Sequence, residues 1–402
     1  MRLILTIAGG LAFPLLAACN MSAAKMAASQ KAEHRVASLR EVVVASKIVN
    51  RQELWEWEST TLKDVRSLVA IQRLGADESL VLDDRGTLYR TTDGGETWGD
   101  VSIPSPGAGD DAHLYNVTSF YFVNPSVGWA TVVRTPEDVL DVRGFESWML
   151  RTTDGGATWG VQYSDTAAQL TRVVFANERE GWAAGGRLVK GETQHFEPLL
   201  MHTTDQGSYW ADVSSDIGAH SAGGFLNDIY AGGPSQALLA DSNDKFLSTD
   251  TGGQSWKEVW KLTKLEPQVS IRKLGVRAGG RTWALGGTGG REGTWTVLAL
   301  QRDDDSWTVY KSLKVFLTDA AFLSDMEVIA CGFIKTDATP LFDGGGADGV
   351  ILHSPDAGRN WSVVYRNSQV KAVSALSVVN ENNIWAVGND GLVLRLKARQ
   401  NL

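Results

Sequence analysis

Thr91-Thr92-Asp93-Gly94-Gly95-Glu96-Thr97-Trp98 decides the fold, because the same eight-residue unit returns along the chain. It recurs as Thr152-Thr153-Asp154-Gly155-Gly156-Ala157-Thr158-Trp159, as Thr203-Thr204-Asp205-Gln206-Gly207-Ser208-Tyr209-Trp210 and as Ser354-Pro355-Asp356-Ala357-Gly358-Arg359-Asn360-Trp361. A fifth copy, Ser248-Thr249-Asp250-Thr251-Gly252-Gly253-Gln254-Ser255-Trp256, reads as the unit with one extra residue. A sixth, Asp303-Asp304-Asp305-Ser306-Trp307, has lost its glycine. The six tryptophans lie 61, 51, 46, 51 and 54 residues apart, the spacing of one four-stranded propeller blade per repeat. The local chemistry explains the unit. The carboxylate accepts backbone N–H bonds in a tight turn, glycine supplies φ > 0, and tryptophan packs beneath. Asp93, Asp154, Asp205 and Asp356, with Trp98, Trp159, Trp210, Trp256 and Trp361, therefore read as structural.

Strand signals outside the unit complete each blade. In the second blade they predict strand A over Val117–Val123, B over Gly128–Val133, C over Ser147–Thr152 and D over Thr158–Ser164, with the repeat as the C–D turn. Strand B recurs as Gly128-Trp129-Ala130, Gly181-Trp182-Ala183, Thr282-Trp283-Ala284 and Ile384-Trp385-Ala386. Six blades span about 64–103, 117–164, 170–215, 225–260, 269–311 and 317–366. After Trp361 the chain supplies only A, B and C strands and stops. Glu53-Leu54-Trp55-Glu56-Trp57-Glu58 alternates apolar and polar residues and offers the missing D strand. The predicted fold is all-β: a seven-bladed β-propeller of four-stranded antiparallel blades, closed by pairing the N-terminal strand with the last blade so that no edge stays open. Most of the 15 tryptophans are thereby assigned to inter-blade core.

The repeated unit resembles the Asp-box, or BNR, repeat of sialidases and related propellers. Together with the Gly-Trp-Ala strand B and the recurrent strand A (Leu170-Thr171-Arg172-Val173-Val174-Phe175 and Leu317-Thr318-Asp319-Ala320-Ala321-Phe322), it is similar to the photosystem II stability/assembly factor family. That resemblance covers about residues 53–397. It implies a seven-bladed propeller that binds newly made membrane-protein intermediates, in members that are lumenal and often lipidated. It is specific for fold and loose for function.

The N-terminus reads as an address. Arg2 precedes an almost wholly apolar run from Leu3 to Leu16, and Leu16-Ala17-Ala18-Cys19 follows. The run is short for a bilayer span and ends at a small-residue cleavage site. It resembles a bacterial lipobox, which implies a signal peptide over 1–18 and acylation of Cys19. Asn20 in place of Asp favours the outer membrane, so the expectation is a lipid-anchored chain facing the periplasm. Residues 19–52, rich in alanine and ending in Val42-Val43-Val44, read as a lipidated, partly helical tether, with 53–402 as the propeller.

The net charge of −9 argues against wholesale nucleic-acid binding. Cys331, the second of two cysteines, sits in an apolar run and reads as a small buried hydrophobe. The six histidines show no metal-ligand spacing, and no phosphate-cradling or nucleophile-elbow loop occurs. No metal and no cofactor are expected.

Loop lengths point to one face. The A–B and C–D connections are short, whereas long polar stretches fall in B–C connections (135–146, 187–197, 333–349) and in the D–A connection 104–115. In a propeller these share a face, which reads as the recognition surface. The A strands begin there and line the channel. Their second and third positions carry Arg66, Arg172, Asn227, Arg272, Lys273, Asp319 and Lys371. The five cations predict a basic channel mouth suited to carboxylates of a protein partner. The alternative pairs them with Asp64, Asp228 and Asp319 as structural salt bridges.

The function expected is therefore a non-enzymatic envelope scaffold for a membrane-protein complex or its assembly intermediate. A sialidase-type glycan-acting or glycan-binding propeller is the rival. Its Phe/Tyr-Arg-Ile-Pro motif has only Val133-Arg134-Thr135-Pro136 as counterpart, placed after the first Asp box. A periplasmic partner that neutralises a toxin is the third reading.

Overall fold

The computed structural model describes residues 41–399, apart from 46, 105–114, 135–144, 190–194, 221–223, 244, 262–268, 291–292, 313–314 and 337–345. The leader, Cys19 and residues 19–40 of the expected tether lie outside the described residues.

Seven separate sheets follow one another along the chain. Blade 1 runs Leu68–Arg73, Ser79–Asp83, Leu88–Thr91 and Gly99–Val101. Blade 2 runs Tyr115–Phe122, Gly128–Arg134, Glu146–Thr152 and Gly160–Asp165, close to the expected bounds. Blades 3 to 6 begin with A strands Ala168–Phe175, Leu226–Gly233, Ser270–Val276 and Val315–Phe322. Blade 7 takes three strands from the C-terminus, ending in Leu392–Arg399. Its fourth is Trp55–Thr61, antiparallel to that last strand. The ring closes as the alternating Trp55-Glu56-Trp57 pattern demands, with Trp55 buried.

The N-terminal segment corrects the tether reading for its last residues. Glu41–Ala45 adds parallel to the D strand of blade 5 (Trp307–Ser312), and Lys47–Asn50 adds parallel to the D strand of blade 6 (Asn360–Asn367). These are strands, not helix. β-Branched residues suit a pleated edge, and outer strands D leave unpaired backbone groups that an added strand satisfies. The chain thus belts the rims of blades 5 and 6 before closing blade 7.

The Asp boxes form the C–D turns as expected. In blade 2, Thr152 Oγ1 donates to Asp154 Oδ1 (2.8 Å) and accepts from Gly156 N (2.8 Å), while Thr158 N donates to Asp154 Oδ1 (2.9 Å). Blade 4 shows that the fifth copy has no extra residue. Thr251 occupies the aspartate position: its Oγ1 accepts from Ser255 N (3.0 Å), and Thr249 Oγ1 accepts from Gly253 N (3.1 Å). Asp250 is displaced to the surface, where it meets Lys257. Glycine is required where the box meets the preceding blade. Gly95 has φ 93° and a Cβ there would lie 2.8 Å from Trp385; at Gly207, φ 80°, it would lie 2.9 Å from Trp129.

The core is a set of layers between blades. One joins Leu170, Val173 and Phe175 of blade 3 to Trp129 and Met149 of blade 2; another joins Leu298 and Tyr310 of blade 5 to Leu317 and Leu352 of blade 6. Comparable layers lie at every other junction. Trp129, Trp182 and Trp385 of the strand-B signal are almost wholly buried in them, as is Trp307. Cys331 is fully buried, and burial pushes its thiol far above the ordinary range.

Candidate binding face

Every A strand carries a bulge at the same height. The antiparallel register skips one residue after Leu68, Val117, Leu170, Leu226, Ile271, Leu317 and Val373. The skipped residues are Val69, Thr118, Thr171, Asn227, Arg272, Thr318 and Ser374. A bulge leaves its extra residue off the ladder and re-aims it. The residue after it returns to register and points to the next blade.

That geometry sorts the predicted cations. Arg172 follows a bulge, and its Nε donates to Asp228 Oδ1 of blade 4 (2.9 Å). Lys273 follows a bulge and is hydrogen-bonded to Asp319 of blade 6. The two aspartates continue the circuit: Asp228 Oδ2 accepts from Leu274 N of blade 5, and Asp319 Oδ2 accepts from Leu376 N of blade 7, both at 2.9 Å. Burial pushes the Asp228 carboxyl up, against the pull of Arg172 and the Leu274 amide. Arg66, in the turn before blade 1, pairs with Asp84 (Nε to Oδ2, 2.7 Å) and not with Asp64.

The basic mouth is thereby corrected. Three of its five cations are matched by carboxylates: Arg172 and Lys273 by the equivalent position of the next blade, and Arg66 by the B–C turn of its own blade. Two are not. Lys371 is exposed at the start of blade 7, and among the described residues no carboxylate pairs with it. Arg272 is the skipped residue of blade 5. Its guanidinium lies over the ring of Phe316 (3.9 Å), which stacks on Phe333 with centroids 5.0 Å apart. No acid pairs with Arg272 among the described residues. Burial alone pushes its pKa down to about 10. Asn227, at the same position of blade 4, instead donates to Asp241 O (3.3 Å).

Sequence reasoning missed Phe316 and Phe333. The signal was available only in part: Phe316 stands two places before Thr318 at the bulge, and nothing local says which neighbour faces it. On the opposite face, Phe322, Leu323, Val378 and Val379 line an open cleft between blades 6 and 7. Its charged lining residue, Glu381, is held by Arg399 (2.9 Å). No group of three His, Cys, Asp or Glu placed to hold a metal ion occurs among the described residues.

The chain matches no family model. It is 23% identical over 364 residues to the chloroplastic photosystem II stability/assembly factor HCF136 of Arabidopsis thaliana, covering 86% of this chain and 80% of that protein. It is 25% identical over 284 residues to the photosystem II assembly lipoprotein Ycf48 of a Synechococcus strain, covering 63% of this chain and 80% of the relative. A solved structure described as YCF48 bound to D1 peptide superposes with a TM-score of 0.58 at 18% identity, over 88% of this chain and 99% of that one. The repeats, the closure and these likenesses agree, and the chain is a distant homologue of the Ycf48/HCF136 photosystem II assembly factors on a seven-bladed propeller.

Proposed function

We propose that this chain is a non-enzymatic assembly or stability factor that binds a segment of a membrane-protein partner at the channel-mouth face. One observation carries the reading: Arg272 is a half-buried cation with no acid paired to it among the described residues, whereas Arg172 and Lys273 are matched by Asp228 and Asp319. Desolvating a charge without a partner is unfavourable, and an incoming carboxylate relieves it through a charge-assisted bond. The aromatic platform of Phe316 and Phe333 holds the guanidinium in place for that contact. The names of the relatives, and the peptide bound in one of them, support a membrane-protein segment as the partner class. The same reading places the chain in the envelope, acylated at Cys19 and held at the outer membrane facing the periplasm.

Capture from detergent-solubilised membranes of the native cell tests it. Wild type should retain one predominant membrane protein, and Arg272→Glu should retain at least ten-fold less, with Arg272→Met intermediate. Equal recovery by all three removes Arg272 from the site. Hydrolysis of aryl glycosides by the purified chain would overturn the non-enzymatic reading. Incorporation of an alkyne-fatty acid by wild type, lost in Cys19→Ser, tests the anchor.

A further inference from the structure

On the face of the A–B and C–D turns, strand C carries one residue just before each box that lies beside the next blade. Blades 1, 2 and 7 place Arg90, Arg151 and Arg395 there, blades 4 and 5 place Ser248 and Leu300, and blades 3 and 6 place His202 and His353. The arginines keep their charge across the whole working range of pH. Arg90 donates to Gly155 O (2.7 Å) and Pro125 O (2.8 Å) of blade 2, and Arg151 donates to Gln206 Oε1 (2.8 Å) of blade 3. Of these seven side chains, histidine is the type that gains a proton between pH 5 and 8.

Both histidines are buried, and both are tied to the next blade through a glutamate of an A–B turn. His353 Nε2 lies 2.9 Å from Glu327 Oε1, which also accepts from Arg399 Nη1 (2.6 Å) on the last strand of blade 7. Arg399 Nη2 turns to Glu381 Oε2 (2.9 Å), and Trp55 of the closing strand lies 5.0 Å from the imidazole, ring to ring. Burial raises the Glu327 carboxyl, but the bonds from Arg399 and His353 outweigh it and hold the group below its ordinary value. An ionised carboxylate only accepts, so the imidazole hydrogen is assigned to Nε2 and Nδ1 is bare. That Nδ1 is buried without a hydrogen-bond partner among the described residues. A second proton there finds no acceptor and sets two cations on one carboxylate.

The blade 3 histidine repeats the arrangement. His202 Nε2 lies 3.0 Å from Glu180 Oε1, the charged group that faces it, and the same oxygen accepts from Ser235 N (2.5 Å) in the A–B turn of blade 4. Its ring stacks on Trp182 (3.9 Å) and abuts the blade 4 box, where a Cβ at Gly252 would lie 3.3 Å from Cε1. Burial pushes both imidazoles below the ordinary histidine value, against the pull of their glutamates, and Arg399 adds to that push at His353.

We infer that the ring has two acid-labile seams, between blades 3 and 4 and between blades 6 and 7, which loosen when His202 and His353 are protonated. They divide it into blades 4 to 6 and blades 7, 1, 2 and 3. The belt crosses blades 5 and 6 and enters the closing strand at the second seam, so Trp55–Thr61 is the element released there. A closed seam binds the proton less readily than an opened one. The seams are therefore intact above the ordinary histidine value of about 6.5 and weaken as pH falls below it.

Hydrogen exchange of the full chain, followed by mass spectrometry at pH 7.5 and pH 5.5 with each rate divided by the intrinsic rate, tests the seams. Peptides covering 233–235 and Trp55–Thr61 should open several-fold more at pH 5.5, up to about ten-fold per histidine. Peptides at Pro125 and Gln206, across the arginine-held junctions, should open equally at both. His202→Gln/His353→Gln keeps a neutral N–H donor toward each glutamate and should lose the acid-induced opening, while the exposed His195→Gln should retain it. Equal seam opening at both pH values, or an increase that survives the double substitution, overturns the inference. Proton NMR of the wild type needs no variant: two histidine Cε1–H resonances should titrate well below pH 6.5. Titration of every histidine at or above that value overturns it as well.

Discussion

Blades 3 to 6 and blades 7, 1 and 2 close the same ring by different chemistry. In the first arc the contacts between A strands are charged, running from Arg172 to Asp228 and from Lys273 to Asp319, with Leu274 N and Leu376 N bound to the aspartates. In the second they are neutral. Arg73 N donates to Ser377 Oγ (3.1 Å), Gln72 exchanges two bonds with the Phe122 backbone (2.7 and 2.9 Å), and Val173 N donates to Ser119 Oγ (3.2 Å). Closure therefore needs a cross-blade acceptor for each inner strand, and charge is one way to supply it. The lesson for function is that basic residues near a channel are not a binding site by position alone. Adjacent Arg272 and Lys273 have different surroundings because one is skipped by the ladder and the other is in it.

The comparison breaks most sharply at Asp228. Asp228→Ala leaves Arg172 half-buried without its partner and Leu274 N without an acceptor, so a loss of about 3–5 kcal/mol is expected in urea unfolding. Removing the neutral clamp is milder. Gln72→Ala should lose about 1–3 kcal/mol, since two backbone groups of Phe122 lose their bonds; a loss as large as that of Asp228→Ala would show that charge adds nothing to the first arc. Arg272→Met should move stability by no more than about 1 kcal/mol, because a cation–π contact is exchanged for relief of a desolvated charge. A larger loss would make Arg272 a structural residue like its neighbour.

The smallest effect separates the Asp boxes. The Thr158 hydroxyl and amide, with Thr152, hold the Asp154 carboxyl down to about 2, whereas the ordinary value lies near 3.9. The folded chain thus binds that proton less readily than the unfolded one. The contribution is complete above the ordinary value and is lost as pH falls through about 2. Asp154→Asn should shallow the fall of the urea midpoint between pH 4 and pH 2, and Thr251→Asp in blade 4 should steepen it. Identical acid limbs in all three chains would mean that these exposed turns contribute nothing that titrates.

Much of this was legible in the chain as written. The boxes at Trp98, Trp159, Trp210 and Trp361 are local signals, since the hydroxyl, carboxylate and glycine that make each turn lie within eight residues. Even the fifth copy is recognisable, although Ser248–Trp256 reads with one extra residue where Thr251 in fact holds the aspartate place. The belt at 41–50 was harder. An apolar run identifies a willing strand but not the sheet edge that receives it.

Blade number, ring closure and the C–D turns follow from sequence alone, because short-range chemistry repeats and every repeat asks for the same sheet. The fate of each cation and the platform under Arg272 arise only in the folded ring. There, residues 46 to 56 positions apart become neighbours, as Lys273 with Asp319 and Arg172 with Asp228. A bulge of one residue then decides that Lys273 meets Asp319 while its neighbour Arg272 lies over Phe316.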